Sequence, residues 1–241
     1  VVSRPASARS PEPDPGVPLE WWRLHQASQV GERVRFGPLP RADWPNRILE
    51  PVVEGAGFVD PVGRTRAGMV VVSAVRARTL ADTVGPGMRL LLVGLNPSLY
   101  SADVGSGFAR PGNRFWPAAL EAGIVSLPRD PLDALVSHGV GMTDLVKRAT
   151  RAAAELEPDE YRAGVERLEF LAGWLAPGAV CVIGLAGWRA AVDRTATAGW
   201  QPRSLGGRPT YVMPNPSGLN AHDTVASLAA HLRAAALGPD S

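Results

Sequence analysis

Four apolar residues in a row, Leu90-Leu91-Leu92-Val93, stop at the polar turn Gly94-Leu95-Asn96-Pro97. A strand that alternates apolar and polar residues keeps one face in water, whereas a continuously apolar strand must be covered on both faces. Such a strand calls for helices above and below it. Residues 179–184 (AVCVIG) form another buried strand, residues 139–145 a plausible further one, and residues 210–213 run straight into Pro214-Asn215-Pro216-Ser217-Gly218-Leu219. Between them lies the most regular helical pattern in the chain. Tyr161, Val165, Leu168, Leu171 and Leu175 recur every three or four residues, started by Pro158-Asp159-Glu160 and ended by Pro177-Gly178. Helical patterns also follow Asn113, cover 132–136 and 185–192, and close the chain from about His222 to Ala236. Strands alternating with helices predict an α/β fold, a three-layer α/β/α sandwich around a mostly parallel sheet.

The regular pattern begins near Thr79 and runs to 237, which we take as the main domain. Residues 1–18 are rich in Pro, Ser and charge and read as a flexible tail. Residues 19–78 are less regular. Glu20-Trp21-Trp22-Arg23-Leu24 suggests a short amphipathic helix, Arg33-Val34-Arg35-Phe36 a short strand and Met69 to Val72 another. Residues 79–82 read as a short helix. The segment 19–78 is expected to pack on the main domain as an accessory layer; a substrate-contacting arm is the alternative.

Composition narrows the chemistry. The chain has 241 residues, 45% of them hydrophobic, enough for a sizeable core. A formal charge of +2 neither requires nor excludes nucleic acid as a partner. Cys181 is the only cysteine, so an internal disulfide, an iron–sulfur cluster and a thiolate zinc site are excluded. His25, His138, His222 and His231 have no metal-ligand spacing, and no metal or cofactor is expected. No apolar run reaches the roughly 18 residues of a membrane span, and no charged-then-apolar leader opens the sequence. A soluble, cytoplasmic protein is the expectation.

In a parallel sheet the C-terminal strand ends converge on one crevice. The loops at 94–97 and 214–219 should therefore face each other. Asn96 carries a donor and an acceptor on a turn stiffened by Pro97, and can hold a water or read a base edge; otherwise it is a turn residue. The small residues Ser98, Ser101, Ala102, Gly105, Ser106 and Gly107 allow close backbone approach to a ligand. Phe108 is a candidate platform for a flat ring, or a core residue. Asp103 can orient water or stabilise a cation, or is a solvated loop acid. Leu219, at a rigid turn, can act as a wedge between bases, or the turn caps the last helix.

Taken together, Gly94-Leu95-Asn96-Pro97, Asn113-Arg114-Phe115-Trp116 and Asn215-Pro216-Ser217-Gly218-Leu219 resemble the mismatch-specific uracil/thymine DNA glycosylases, the double-strand-selective branch of the uracil-DNA glycosylase superfamily. The resemblance covers residues 79–237. It implies a monofunctional enzyme that excises uracil, and in some members thymine or other damaged pyrimidines, from G·U and G·T mispairs in double-stranded DNA. It implies no cofactor and a monomer. By position, Asn96 holds the attacking water, Phe108 stacks on the flipped base, and Gly94, Leu95, Pro97, Ser98 and Asn113 line the base pocket. Asn215, Ser217, Gly218, Leu219 and Asn220 contact DNA, with Leu219 as the wedge. Ser98 departs from the glycine common in the family. Asp103 is outside the family pattern and is expected to assist Asn96. A non-catalytic module that binds mismatched or damaged DNA is the alternative.

Overall fold

The computed structural model describes residues 13–218 and 222–239. Its N-terminal unit contains α1 (Val17–Ala27), β1 (Arg33–Pro40), α2 (Asn46–Gly55), β2 (Phe58–Arg66) and β3 (Met69–Arg76). The strands pair antiparallel in the order β1-β3-β2. Strand periodicity sorts their side chains: Val34, Phe36, Val70, Val72 and Ala74 are buried, while Arg33, Arg35 and Val71 between them are exposed. The inner face is closed by α1 and α2, with the Trp21 ring 4.6 Å from Phe36 and 5.7 Å from Trp44. β2 is invisible as a pattern because it is an edge strand, with only Phe58 buried. The first helix starts at Val17, inside the stretch expected to be a tail, because Val17 and Trp21 enter this small core. Residues 1–12 lie outside the described residues.

The main body follows as β4 (Leu90–Gly94), α3 (Leu99–Val104), α4 (Phe115–Glu121), α5 (Pro131–His138), β5 (Val140–Asp144), α6 (Pro158–Leu175), β6 (Ala179–Ile183), α7 (Leu185–Ala191), β7 (Gly199–Trp200), β8 (Thr210–Met213) and α8 (Val225–Leu237). Its sheet has the order β5-β4-β6-β8-β7, parallel except for β7. Leu90, Leu92, Cys181 and Met213 face α4 and α8; Leu91, Val93, Val180, Val182 and Val212 face α6 and α7. This is the expected three-layer sandwich. Each of the three buried leucines of β4 contributes about 1.5–3 kcal/mol relative to exposure. The N-terminal unit rests on α6, where Trp174 meets Trp44 edge-on at 5.9 Å and donates its indole N–H to the Pro13 carbonyl at 3.1 Å.

Two local expectations are corrected. Residues 79–82 are not helical: the chain bends at Arg78–Thr79 and runs irregularly to Thr83, which exchanges backbone hydrogen bonds with Met142 at 2.9 Å. The segment after Asn96, expected to be a loop, contains α3. Ser98 caps it, its Oγ accepting from the Ser101 N–H at 3.1 Å, and Gly105 ends it in the left-handed region. No described helix is long and apolar enough to cross a membrane.

β5 flanks β4 on one side, and β6 and β8 flank it on the other. The loops leaving β4 and β6 therefore diverge, and a crevice opens between their C-terminal ends.

Candidate active site

That crevice holds a cavity of about 360 Å³, within the usual range for small-ligand sites of roughly 300–1,000 Å³. Leu95, Asn96, Pro97, Ser98, Phe108, Asn113, Asn215 and Ser217 all line it. The two polar strand ends thus meet across one space. Arg114 ties them together: its backbone N–H donates to the Pro216 carbonyl at 2.9 Å, and its guanidinium donates to the carbonyls of Ser217, at 2.9 Å, and Asp223. Gly218 packs where a Cβ would lie 2.9 Å from the Gly112 carbonyl oxygen. Leu219 and Asn220 lie outside the described residues.

The orientation of the Asn96 amide follows from its partners. Nδ2 donates to the Arg148 carbonyl at 3.0 Å, the Pro97 carbonyl at 3.3 Å and Thr150 Oγ1 at 2.8 Å. Carbonyls only accept, so the nitrogen must face them. Oδ1 has no hydrogen bond to the described residues and is left to the cavity. The strand pairing of β4 and β5 holds this geometry by continuing past the sheet. Leu145 and Val146 donate to the carbonyls of Gly94 and Leu95, and Thr150 exchanges backbone bonds with Pro97 and Leu99, all at 2.8–3.1 Å.

Phe108 has φ of 57°, a conformation unfavourable for a bulky residue. Its ring is fixed by stacking on Phe115, with centroids 4.2 Å apart and planes 29° apart. Trp116 donates its indole N–H to the Gly107 carbonyl at 2.9 Å and so holds the loop on the other side. Asn113 accepts the Phe115 N–H at 2.9 Å and sets the entry to α4.

Asp103 does not join this group. Its side chain is 52% exposed and takes two hydrogen bonds from Arg78, at 2.7 and 2.6 Å. That contact holds its carboxyl below the usual carboxylate range. It is absent from the cavity lining, so the expectation that it assists Asn96 is withdrawn. α3 explains why: the helix turns residue 103 outward while Ser101 and Ala102 are buried.

The acid that does line the cavity is Asp144, at the end of β5 and only 13% exposed. Gly94 lies directly over it. Burial pushes its carboxyl up to about 6; Lys147 and Arg167 pull the other way, and Asp82 adds to the rise. Behind it, Asp82 accepts from Lys147 Nζ and Arg167 Nη1, each at 2.7 Å, and from Thr143 Oγ1 at 2.6 Å. Sequence reasoning missed Asp144, although it ends a strand as Asn96 and Asn215 nearly do. Thr150 and the Arg148 carbonyl had no local signal at all. Among the described residues, no group of His, Cys, Asp and Glu could hold a metal ion.

A family model described as "Uracil DNA glycosylase superfamily" matches residues 81–236, which contain the whole five-stranded sheet and every residue lining the cavity except Leu80. Among solved structures, the chain is similar to a solution NMR structure from Methanosarcina acetivorans, described provisionally as a uracil DNA glycosylase. The two are 20% identical with a TM-score of 0.45, over 65% of this chain and 96% of that one.

Proposed function

The chain belongs to the uracil DNA glycosylase superfamily, and we propose that it hydrolyses the N-glycosidic bond of a pyrimidine flipped out of a mispair in double-stranded DNA, uracil from G·U and, by extension, thymine from G·T or other damaged pyrimidines. The observation that carries this reading is the Asn96 amide, pinned through Nδ2 with Oδ1 free for a water. A base inside a duplex must be unstacked at a cost of a few kcal/mol, and a wobble pair lowers that cost. In this reading the flipped base lies against Phe108, whose ring is already fixed by Phe115. As the glycosidic bond breaks, the base takes the electron pair and the sugar becomes cationic. The water on Asn96 adds to the sugar carbon, and its proton ends on the departed base, which leaves as neutral uracil. Preorganised dipoles suit this charge separation because they need no reorganisation during the reaction.

The Asp144 carboxyl has a natural part here. When protonated it can donate to an oxygen of the departing base; when ionised it repels the anion. We assign it as the pH-sensitive member of the site. Strand cleavage through a Schiff base is not expected: Lys147 is the only lysine in the sequence, and its ammonium is buried against Asp82. The enzyme then acts as a monomer and leaves an abasic site.

The test is incubation with a G·U duplex followed by alkali. Breakage at the uracil by wild type and its loss in Asn96→Ala supports the reading. Binding without abasic product would instead make the chain a damaged-DNA binding module.

A further inference from the structure

The family match leaves out the N-terminal unit, whose sheet turns a basic face to solvent. Arg33 and Arg35 project from β1 and Arg64 from β2, around Val71 and Ser73 of the central strand, and together with Val62 they line an open depression of about 410 Å³. Strand spacing places the β1 and β2 arginines about 10 Å apart across the face. No acidic group among the described residues lies within 4.0 Å of any of the three guanidiniums. Like charges gathered on one face repel, and a bound polyanion would offset that cost.

The face is also tied to the cavity. Arg33 pairs with Val75 at the end of β3. Three residues beyond, Arg78 makes its two-pronged bond to Asp103 on α3, and the cap of α3, Ser98, is on the cavity wall. The contact that removes Asp103 from chemistry thus clamps the sheet beside the active-site loop.

We propose that Arg33, Arg35 and Arg64 form a second grip on duplex DNA, neutralising phosphates that flank the damaged base. This rests on the glycosylase reading for the identity of the polyanion. The face suits the backbone of a duplex rather than single-stranded bases, because Val62, Val71 and Ser73 offer no aromatic ring on which a base could stack. The contact is therefore independent of sequence.

Each neutralised phosphate adds about 0.9 to the slope of log affinity against log salt. The full chain is titrated with an undamaged duplex at several salt concentrations, beside a triple variant, R33Q/R35Q/R64Q. A control triple, R162Q/R194Q/R203Q, removes the same charge elsewhere. The slope should fall by about 2–3 in the first variant and stay at the wild-type value in the control. R64Q alone, on an exposed edge strand, should lower it by about 0.9 and serves if the triple variant melts early. An unchanged slope in the patch variants, or an equal fall in the control, overturns the inference. So does a patch variant that loses only binding to phosphatidylserine vesicles. Excision of a G·U duplex by the same wild-type preparation separates the two readings. Excision with an unchanged slope sinks the grip alone; a reduced slope without excision sinks the glycosylase reading and leaves the grip.

Discussion

Gly94 and Asp144 face each other so closely that a Cβ on the glycine would lie 2.4 Å from the carboxylate oxygen Oδ1 and 3.4 Å from Cζ of Phe108. The last residue of β4 must therefore be small if the acid and the ring are to share one cavity. Gly94→Ala should push both aside, costing about 1–3 kcal/mol of stability as overpacking does and lowering the excision rate tenfold or more. Thermal melting and single-turnover excision of a G·U duplex check this; a variant with wild-type values in both would show that Asp144 has room to move.

The raised value of the Asp144 carboxyl sets a direction for pH dependence. Below about 6 the group is protonated and can donate to the leaving base; above it, the carboxylate opposes the anion. The wild-type rate should fall as pH rises through about 6, and Asp144→Asn should remove that fall, because the amide stays neutral. Stability follows the same sign. The folded value lies above the ordinary one, so the contribution of Asp144 is complete in acid and is lost as pH rises through about 6. A single-turnover pH profile that keeps its descending limb in the variant would dismiss the assignment.

Thr150 is on the cavity wall, but its hydroxyl is taken up by the Asn96 amide, so we treat it as a positioning residue. Thr150→Val removes the 2.8 Å partner of Nδ2 and should slow single-turnover excision about tenfold, worth about 1.4 kcal/mol in the barrier, with duplex affinity unchanged. Thr150→Ser should restore the rate. A parallel loss of affinity would point to a collapsed loop instead.

Asp82 sits between two buried cations. Asp82→Asn removes the counter-charge nearest to Arg167 and Lys147, leaving Asp144 at 4.0 Å from Lys147, and should cost about 3–5 kcal/mol. The carboxyl of Asp82 is held below its ordinary value by Arg167 and Lys147 against its own burial. Its contribution to stability is therefore present above the ordinary carboxylate range and is lost as pH falls below it. Urea unfolding between pH 7 and pH 3 measures both effects.

Asp103→Ala should leave single-turnover excision at the wild-type rate, since the side chain is exposed and engaged by Arg78. A tenfold loss in a folded variant would return Asp103 to the mechanism.

The sequence by itself determined the sheet and its two polar ends, because both are written in neighbouring residues. Continuous burial of 90–93 and 179–183 shows as runs of apolar side chains, and the turns at Asn96 and Asn215 interrupt them. The aromatic at 108 was legible for the same reason, whereas the amide at 113 was singled out only through the resemblance of its segment to a known family. Tertiary structure decided which acid reaches the cavity. Asp103 is seven residues from Asn96 and Asp144 is 48 residues away, yet α3 turns the first to solvent and parallel pairing of β4 with β5 brings the second to the cavity. It also decided that the Asn96 nitrogen faces Arg148, and that 58–66 is a strand whose only warrant is its partner β3. Local patterns report how deeply a segment is buried. Which group meets which across fifty residues depends on strand register and helix phase, and these are set only when the layers pack.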